Sequence, residues 1–277
     1  MQRRNSGKVA RRRAGRGAAS DVASSAGGLA AIASEVVACH RCPRLRRYCE
    51  TIARTKRRAY RAEEYWGKPV PGFGDPLARL WILGLAPAAH GANRTGRMFT
   101  GDSSGDWLFA ALHESGFARL ASSASRHDGQ HLTAAYISAV VRCAPPDNKP
   151  QPDEVAACSD FLTRELAALR NVAVLLCLGS IAFAAALRLL QAAGYAVPRP
   201  RPRFGHGAEY LLRPRATTTH PSSPPRALLV LASYHPSRQN TQTGRLTRPM
   251  WQAIFRRARA VVENAAPWTH SNRGFAG

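Results

Sequence analysis

Acidic residues are scarce in this chain of 277 residues: 17 Asp and Glu stand against 40 Lys and Arg, a formal net charge of +23. Folding does not need a charge of that size, but such a charge attracts a polyanion by counterion release, and nucleic acid is the common one. Residues 1–33 contribute only seven of the 40 basic residues, so the remaining chain keeps a net charge of +17. The alternative explanation is a genomic preference for arginine that is unrelated to any partner.

Long apolar segments are also missing. The longest apolar runs, such as Val172–Leu178, are far shorter than the roughly 18–20 residues that a membrane span needs. No apolar stretch of about 7–15 residues follows the basic N-terminus, so a secretory signal is not expected. We therefore expect a cytoplasmic, nucleoid-associated protein without membrane contact. In that compartment, six cysteines indicate ligands, catalytic groups or buried thiols rather than a disulfide framework.

Composition divides the chain into three parts. Residues 1–33 mix arginines with small residues and offer little apolar area to offset the entropy lost on ordering, which predicts a disordered basic tail. Residues 34–267 are expected to form one catalytic domain, and residues 268–277 a C-terminal tail.

Within the domain, apolar runs alternate with helical patterns. The runs are Arg79–Leu85, Ala134–Arg142, Asn171–Leu178 and Ala227–Tyr234. The helical patterns that follow them are Asp106–Ser115, Pro152–Arg170, Gly179–Ala192 and Arg248–Asn264. Because the runs are continuous, they are typical of strands covered on both faces, which predicts an α/β fold with a parallel sheet between helices. The Pro- and Arg-rich segment 193–226 is predicted to be irregular.

Four cysteines can meet near the end of the second strand. Cys39 and Cys42 form a Cys-x-x-Cys pair, Cys143 ends the strand, and Cys158 lies in the following helix. Four sulfur ligands fit either a zinc ion or a [4Fe–4S] cluster, and spacing does not choose between them. Cys177 lies inside an apolar strand, where a buried thiol is the plain interpretation.

Function in such sheets belongs to the loops at the carboxyl ends of the strands. Phe99, an aromatic residue in a polar loop, is placed to stack on a base, although it could also anchor the loop in the core. Asp102 precedes a helix and could be its N-cap. Asn148 offers a donor and an acceptor to an amide edge. His235 could donate to a developing negative charge, or be structural.

Several of these loops together resemble a known family. The segments are Gly84-Leu-Ala-Pro-Ala-Ala-His-Gly, Gly96-Arg-Met-Phe-Thr-Gly-Asp102, Cys143-Ala-Pro-Pro-Asp-Asn148 and His235-Pro-Ser-Arg-Gln-Asn-Thr. They resemble, in order and over about residues 35–265, the type b or family 5 uracil-DNA glycosylases. The resemblance implies a three-layer α/β/α fold around a four-stranded parallel sheet. It also implies a [4Fe–4S] cluster on Cys39, Cys42, Cys143 and Cys158. The implied function is removal of uracil and other deaminated bases from double-stranded DNA by a monomer, leaving an abasic site.

The resemblance also assigns roles around a flipped base. Phe99 would stack on the base, Asn148 would hold its Watson–Crick edge, and His235 would donate to its carbonyl oxygen. Asp102 would orient water or stabilise the cationic sugar. The loop from Ser237 to Arg245 would enter the minor groove. The implied substrate-binding residues are Gly84, Ala86, Pro87, Ala88, His90, Phe99, Ser237 and Arg238.

One position departs from the wider superfamily. Many relatives carry Asp, Asn or Glu where this chain has Ala86, and a methyl group cannot activate water. We expect Asp102 to take that role, and a roomier pocket to accept purines such as hypoxanthine.

Two other function classes share some of these features. A non-catalytic nucleic-acid module would explain the charge and the cysteines, but not the polar residues at three strand ends. A redox enzyme would use Cys39 and Cys42 as a dithiol–disulfide pair.

Overall fold

Six strands form one sheet in the computed structural model, which describes residues 24–215 and 226–265. The strands are β1 (Phe73–Gly74), β2 (Leu80–Gly84), β3 (Ala135–Ala139), β4 (Val174–Leu178), β5 (Glu209–Leu212) and β6 (Leu228–Ser233). Their order across the sheet is β1-β3-β2-β4-β6-β5. The four central strands are parallel, and the two edge strands pair antiparallel to their neighbours.

The predicted four-stranded parallel sheet is therefore the centre of a larger mixed sheet. The two edge strands were not predicted from the sequence, because they are short and most of their residues are not buried. The prediction that 193–226 is irregular is wrong for β5, which alternates exposed and more buried residues instead of forming a continuous apolar run.

Helices cover both faces of the sheet. They are α1 (24–37), α2 (Pro43–Thr55), α3 (Ala92–Thr95), α4 (Ser103–Glu114), α5 (Pro152–Ala168), α6 (Ser180–Ala192), α7 (Arg238–Gln242) and α8 (Arg248–Asn264). One core joins alternate strand residues, such as Trp81 and Leu83, to α1, α5 and α6. The other joins the intervening residues, such as Leu80 and Ile82, to α4 and α8. This alternation is that of strands buried on both faces and confirms the three-layer α/β/α prediction.

The boundary predicted at residue 33 is corrected by α1. Its side chains Leu29, Ile32 and Val36 are buried in the core, at a spacing that puts them on one helix face. Glu35 of the same helix accepts two hydrogen bonds of 2.5 Å from Arg164 of α5. The folded part thus includes residues 24–33. The rest of the predicted N-terminal tail and the C-terminal tail at 268–277 lie outside the described residues.

None of the helices in the described ranges is long and apolar enough to cross a membrane.

Candidate active site

The rings of Phe99 and His235 meet at the carboxyl edge of the sheet. Phe99 belongs to the loop after β2 and His235 to the loop after β6, and their ring centroids lie 5.8 Å apart with an interplanar angle of 30°. Phe99 is 9% exposed, and its ring lies against Gly84, where an added Cβ would come within 2.9 Å of the ring. Gly84 is therefore required by close approach, and two of the predicted site residues share one place.

The backbone of Phe99 is held in a left-handed conformation, with φ of 53°. Such a conformation is unusual for a bulky residue and persists only where the surroundings enforce it. The neighbouring Arg97 donates to Asp128 and to Ser123 Oγ at 2.6 Å. The N–H of Gly101 donates to the carbonyl of Ser123 at 2.9 Å. The segment around residues 123–128, which no sequence signal connected to the site, thus fixes the loop that carries Phe99.

His235 is an uncharged hydrogen-bonding group at neutral pH. Part of its surface meets solvent, but protein atoms enclose the ring closely enough that burial lowers its pKa to about 4. Its carbonyl oxygen accepts a hydrogen bond of 2.8 Å from Asn240 Nδ2. Ser237 caps α7 by accepting from the N–H of Asn240. A neutral imidazole can donate an N–H to a developing anion without first losing a proton to it.

Asp102 is the N-cap of α4. Its Oδ1 accepts hydrogen bonds from the backbone N–H groups of Ser104 and Gly105, at 3.0 and 2.9 Å. Its Oδ2 lies against Gly91, where any side chain would overlap it. Burial raises the pKa of this carboxyl group, partly opposed by the two backbone hydrogen bonds. The N-cap interpretation is thus confirmed, and Oδ2 has no backbone donor among the described residues, on the side of the loop after β2.

Asn148 is placed differently from the pair formed by Phe99 and His235. It ends a 3-10 turn, Pro146–Asn148, in which Asp147 and Asn148 both have left-handed φ values, of 53° and 56°. Its side chain is exposed. Among the described residues, no hydrogen bond or ring contact joins that side chain to Phe99 or His235. The structure therefore brings two of the three central residues together and leaves the third on a strained turn.

The remaining predicted residues lie in the same two loops. Pro87 is buried, whereas Ala86, Ala88 and His90 are partly exposed. His90 Nδ1 shares a hydrogen bond of 3.1 Å with the hydroxyl of Tyr65, which the sequence analysis did not single out. Burial, Arg57 and Arg94 lower the pKa of His90, which therefore stays neutral at neutral pH.

The loop after β6 is tied to the start of α4 and carries stacked cations. Arg238 donates to Ser103 Oγ at 3.3 Å. The guanidinium of Arg245 lies 4.6 Å from the ring centre of Tyr234, and that of Arg248 lies 4.0 Å from the ring centre of Trp107. These contacts hold positive charge around His235.

The four cysteines of the predicted metal site are free thiols at one end of the domain. Cys143 and Cys158 are buried, and Cys39 and Cys42 are partly buried. The pKa of Cys42 is raised to about 12 by burial and then by the proximity of Cys158, Cys143 and Cys39, so the four sulfur atoms influence one another. Within the described ranges, no three His, Cys, Asp or Glu side chains converge on the position of a single metal ion.

Two buried arginines beside these thiols have unsatisfied donors. Nε and Nη1 of both Arg46 and Arg142 have no hydrogen-bond partner among the described residues. The four thiols are soft ligands for iron, and the unpaired N–H groups beside them can donate to sulfur. The residues present therefore fit an anionic, sulfur-containing cofactor.

A separate surface groove of about 680 Å³ lies between α5 and α6. It is mainly apolar and contains none of the predicted site residues. It therefore has no part in the chemistry of the Phe99–His235 site.

The sheet presents an aromatic ring, a neutral imidazole and a largely enclosed carboxyl group along one edge, in a strongly basic chain. A sequence profile of the Uracil DNA glycosylase superfamily matches residues 71–259, and the chain belongs to that superfamily.

Curated relatives agree with this assignment over most of the chain. The chain is 44% identical to a type-5 uracil-DNA glycosylase of Mycobacterium tuberculosis, over 87% of this chain and 84% of the relative. It is 45% identical to the type-5 enzyme of Thermus thermophilus, over 84% and 97% of the two chains. It is 43% identical to that of Pyrobaculum aerophilum, over 82% and 90%. The resemblance to the type-5 enzymes and the prediction of a glycosylase are confirmed.

Proposed function

We propose that this protein hydrolyses the N-glycosidic bond of uracil in double-stranded DNA as a monomer, leaving an abasic site for base excision repair. The observation that carries this proposal is the stack of Phe99 and the neutral His235 at the carboxyl edge of the sheet. The type-5 relatives are named as uracil-DNA glycosylases, which supports uracil as the base.

In the proposed reaction, the target base leaves the duplex stack and enters the edge beside Phe99. Water adds its oxygen to C1′ of the sugar while the bond from C1′ to the base nitrogen breaks, and the bonding electrons leave with the base. His235 donates its N–H toward the base carbonyl oxygen, where this negative charge builds. The proton of the attacking water goes to Asp102 or to solvent. The negative charge of Asp102 also stabilises the positive charge that develops on the sugar.

Asn148 has a role that depends on the bound base. Its exposed amide can pair with the Watson–Crick edge of a flipped uracil, which fits a side chain that has no hydrogen-bond partner among the described residues. The strained turn beneath it would orient the amide before the base arrives. Arg238, Arg245 and Arg248 supply charge for DNA phosphates around the same opening.

We further propose that Cys39, Cys42, Cys143 and Cys158 hold a [4Fe–4S] cluster. Zinc would draw its sulfur ligands to about 2.3 Å from one point, whereas each thiolate of a cluster binds a different iron atom. The unpaired N–H groups of Arg46 and Arg142 beside the four thiols support a cluster, because its own sulfide atoms could accept them. Through such a cluster, the four cysteines would join the segment after α1, the start of α2, the segment after β3, and α5. Its role is structural, since glycosidic hydrolysis transfers no electrons.

The substrate range is proposed to extend beyond uracil. Ala86 leaves space where a carboxylate or amide would stand in many relatives, which favours larger deaminated bases such as hypoxanthine and xanthine. Matched duplexes with uracil, hypoxanthine, xanthine or hydroxymethyluracil, scored for strand breakage after alkali, test this range. Release of uracil without hypoxanthine would contradict the roomier pocket.

The central test compares the wild-type protein with His235→Ala on a uracil duplex under single-turnover conditions. We expect abasic sites with the wild type and a cleavage rate lower by about 100- to 1,000-fold in the variant, as for loss of one oxyanion donor. DNA affinity should change little. If the wild type binds the duplex but forms no abasic sites, the protein is a binding module; equal loss of cleavage and binding would make His235 a packing residue.

A further inference from the structure

Two arginines beside the cysteine site are buried while part of each guanidinium has no acceptor. Arg142 is 1% exposed and donates Nη2 to Glu165 at 2.6 Å, and Arg46 is 8% exposed and donates Nη2 to the Gly67 carbonyl at 2.9 Å. Nε and Nη1 of both have no partner in the described parts of the chain. Buried charged donors without acceptors are rare in native proteins, so each needs an explanation, such as an absent ion or cofactor.

Both arginines lie next to the thiols rather than elsewhere in the core. Arg46 is one helical turn after Cys42, whose carbonyl oxygen accepts from its backbone N–H at 3.0 Å. Cys49 and burial raise the pKa of the Cys143 thiol, and the nearby positive charge of Arg46 partly opposes that rise. Arg142 directly precedes Cys143 in the chain. Burial raises the pKa of the Cys158 thiol, and the nearby positive charge of Arg142 partly opposes that rise.

We propose that Arg46 and Arg142 direct these unpaired N–H groups at the sulfur atoms of the [4Fe–4S] cluster and compensate its negative charge inside the protein. They are positioning residues for the cofactor, not catalytic residues. Hydrogen bonds to sulfur and nearby positive charge retain a cluster and raise its reduction potential. The inference rests on the proposed cofactor, and it assigns these two side chains a role that no step of base removal requires.

Arg46 is the better position for a test, because removing Arg142 would leave Glu165 buried without its partner. Arg46→Gln removes the charge and most donors, whereas Arg46→Lys keeps the charge but loses the planar fork of N–H donors. Arg47→Gln is the matched control, since Arg47 is the exposed neighbour on the same helix. Glu50→Gln is a second control, because it breaks the ion pair of Arg46 with Glu50 and leaves the guanidinium in place.

Iron and sulfide content are measured after anaerobic purification, followed by the half-life of the cluster absorbance in air with a chelator and by a redox titration. We expect a half-life several-fold shorter for Arg46→Gln than for either control, with Arg46→Lys between them. A tenfold change in the equilibrium between redox states would lower the potential by about 59 mV for one electron.

The outcomes separate this inference from the cofactor itself. A wild type that contains no iron and sulfide overturns both. A wild type with a full cluster, together with an Arg46→Gln variant that keeps the half-life and potential of Arg47→Gln, overturns the role of the arginine alone. If Arg46→Gln does not fold, the same comparison between Arg46→Lys and Arg47→Gln decides the question, because lysine cannot reproduce the fixed fork of N–H groups of the guanidinium.

Discussion

Arg97 donates to both carboxylate oxygens of Asp128, at 2.7 and 2.6 Å, and this buried arginine lies two residues before the strained backbone of Phe99. The pair joins a loop at the carboxyl edge of the sheet to a segment more than twenty residues away. Asp128 also accepts from the N–H groups of Ala124 and Gln130, so it organises its own segment as well. The position of the ring that would stack on a base therefore depends on a carboxylate outside the site.

Asp128→Asn is predicted to slow base removal although Asp128 touches no substrate. The amide removes the charge that Arg97 needs and leaves the buried guanidinium of Arg97 without its counter-charge. We expect a lower thermal unfolding midpoint and a single-turnover rate reduced by about tenfold or more, measured on a uracil duplex. Asp160→Asn is the control, because that carboxylate pairs with Arg41 and Arg164 while exposed. Equal effects of the two substitutions would contradict a link between Asp128 and Phe99.

Gly84→Ala should displace the ring of Phe99. An added Cβ would lie 2.9 Å from that ring, closer than real Cβ contacts allow, and Gly84 ends a fully buried strand that cannot move away. We expect a cleavage rate lower by on the order of tenfold or more, with modest loss of DNA binding. Gly205→Ala, where a Cβ would make an ordinary contact at 3.9 Å, should leave both unchanged. Full activity of Gly84→Ala would show that the ring can shift without consequence.

Cys39→Ser is predicted to lower the yield of folded protein and its iron content more than the chemistry of the molecules that do fold. Serine keeps the shape but is a poor ligand for iron, so one corner of the cross-link between helices is lost. Iron per folded protein and the single-turnover rate per folded protein are the two measurements. Cys177→Ala is the control, since that thiol is buried in β4 without a proposed ligand role. A parallel fall of iron in both variants would place the cluster elsewhere.

Local sequence patterns predict the central strands and most of the long helices. Strand β4, Val174–Leu178, lies within the predicted apolar run Asn171–Leu178. The predicted helix Arg248–Asn264 has the same bounds in the structure. Helix α1 was not predicted, because Leu29, Ile32 and Val36 are few among small residues, and their spacing matters only once α5 covers them.

For the site as well, the sequence predicts the loops but not the long-range contacts that hold them. The loops after β2 and β6 were found from their glycines and polar residues, but nothing in a single sequence indicates that Asp128 holds Arg97 or that Asn240 holds the His235 carbonyl. Those contacts depend on how distant segments pack. The unpaired donors of Arg46 and Arg142 belong to the same class, since burial is a property of the folded chain.

The pH dependence of the reaction gives a further test of His235. Because burial lowers its pKa to about 4 in the folded protein, the imidazole stays neutral down to that pH, well below the ordinary value of 6.5. The contribution of His235 to catalysis should therefore be constant from neutral pH to about pH 5 and change only near pH 4. Single-turnover rates at constant ionic strength measure this profile.

The lowered pKa of His235 also makes the stability of the fold depend on pH. The sign is opposite to that of a salt-bridged histidine, whose pKa is raised. Between about pH 4 and 6.5 the unfolded chain binds a proton at His235 that the folded protein does not, so this residue destabilises the fold as the pH falls through that window. His235→Gln should therefore show a weaker loss of the unfolding midpoint between pH 7 and pH 4.5 than the wild type. His113→Gln, on the last turn of α4, is a comparison that leaves the site untouched. If the single-turnover rate of the wild type instead falls as the pH rises through about 6.5, the lowered pKa assigned to His235 is wrong and the protonated imidazole acts in the chemistry.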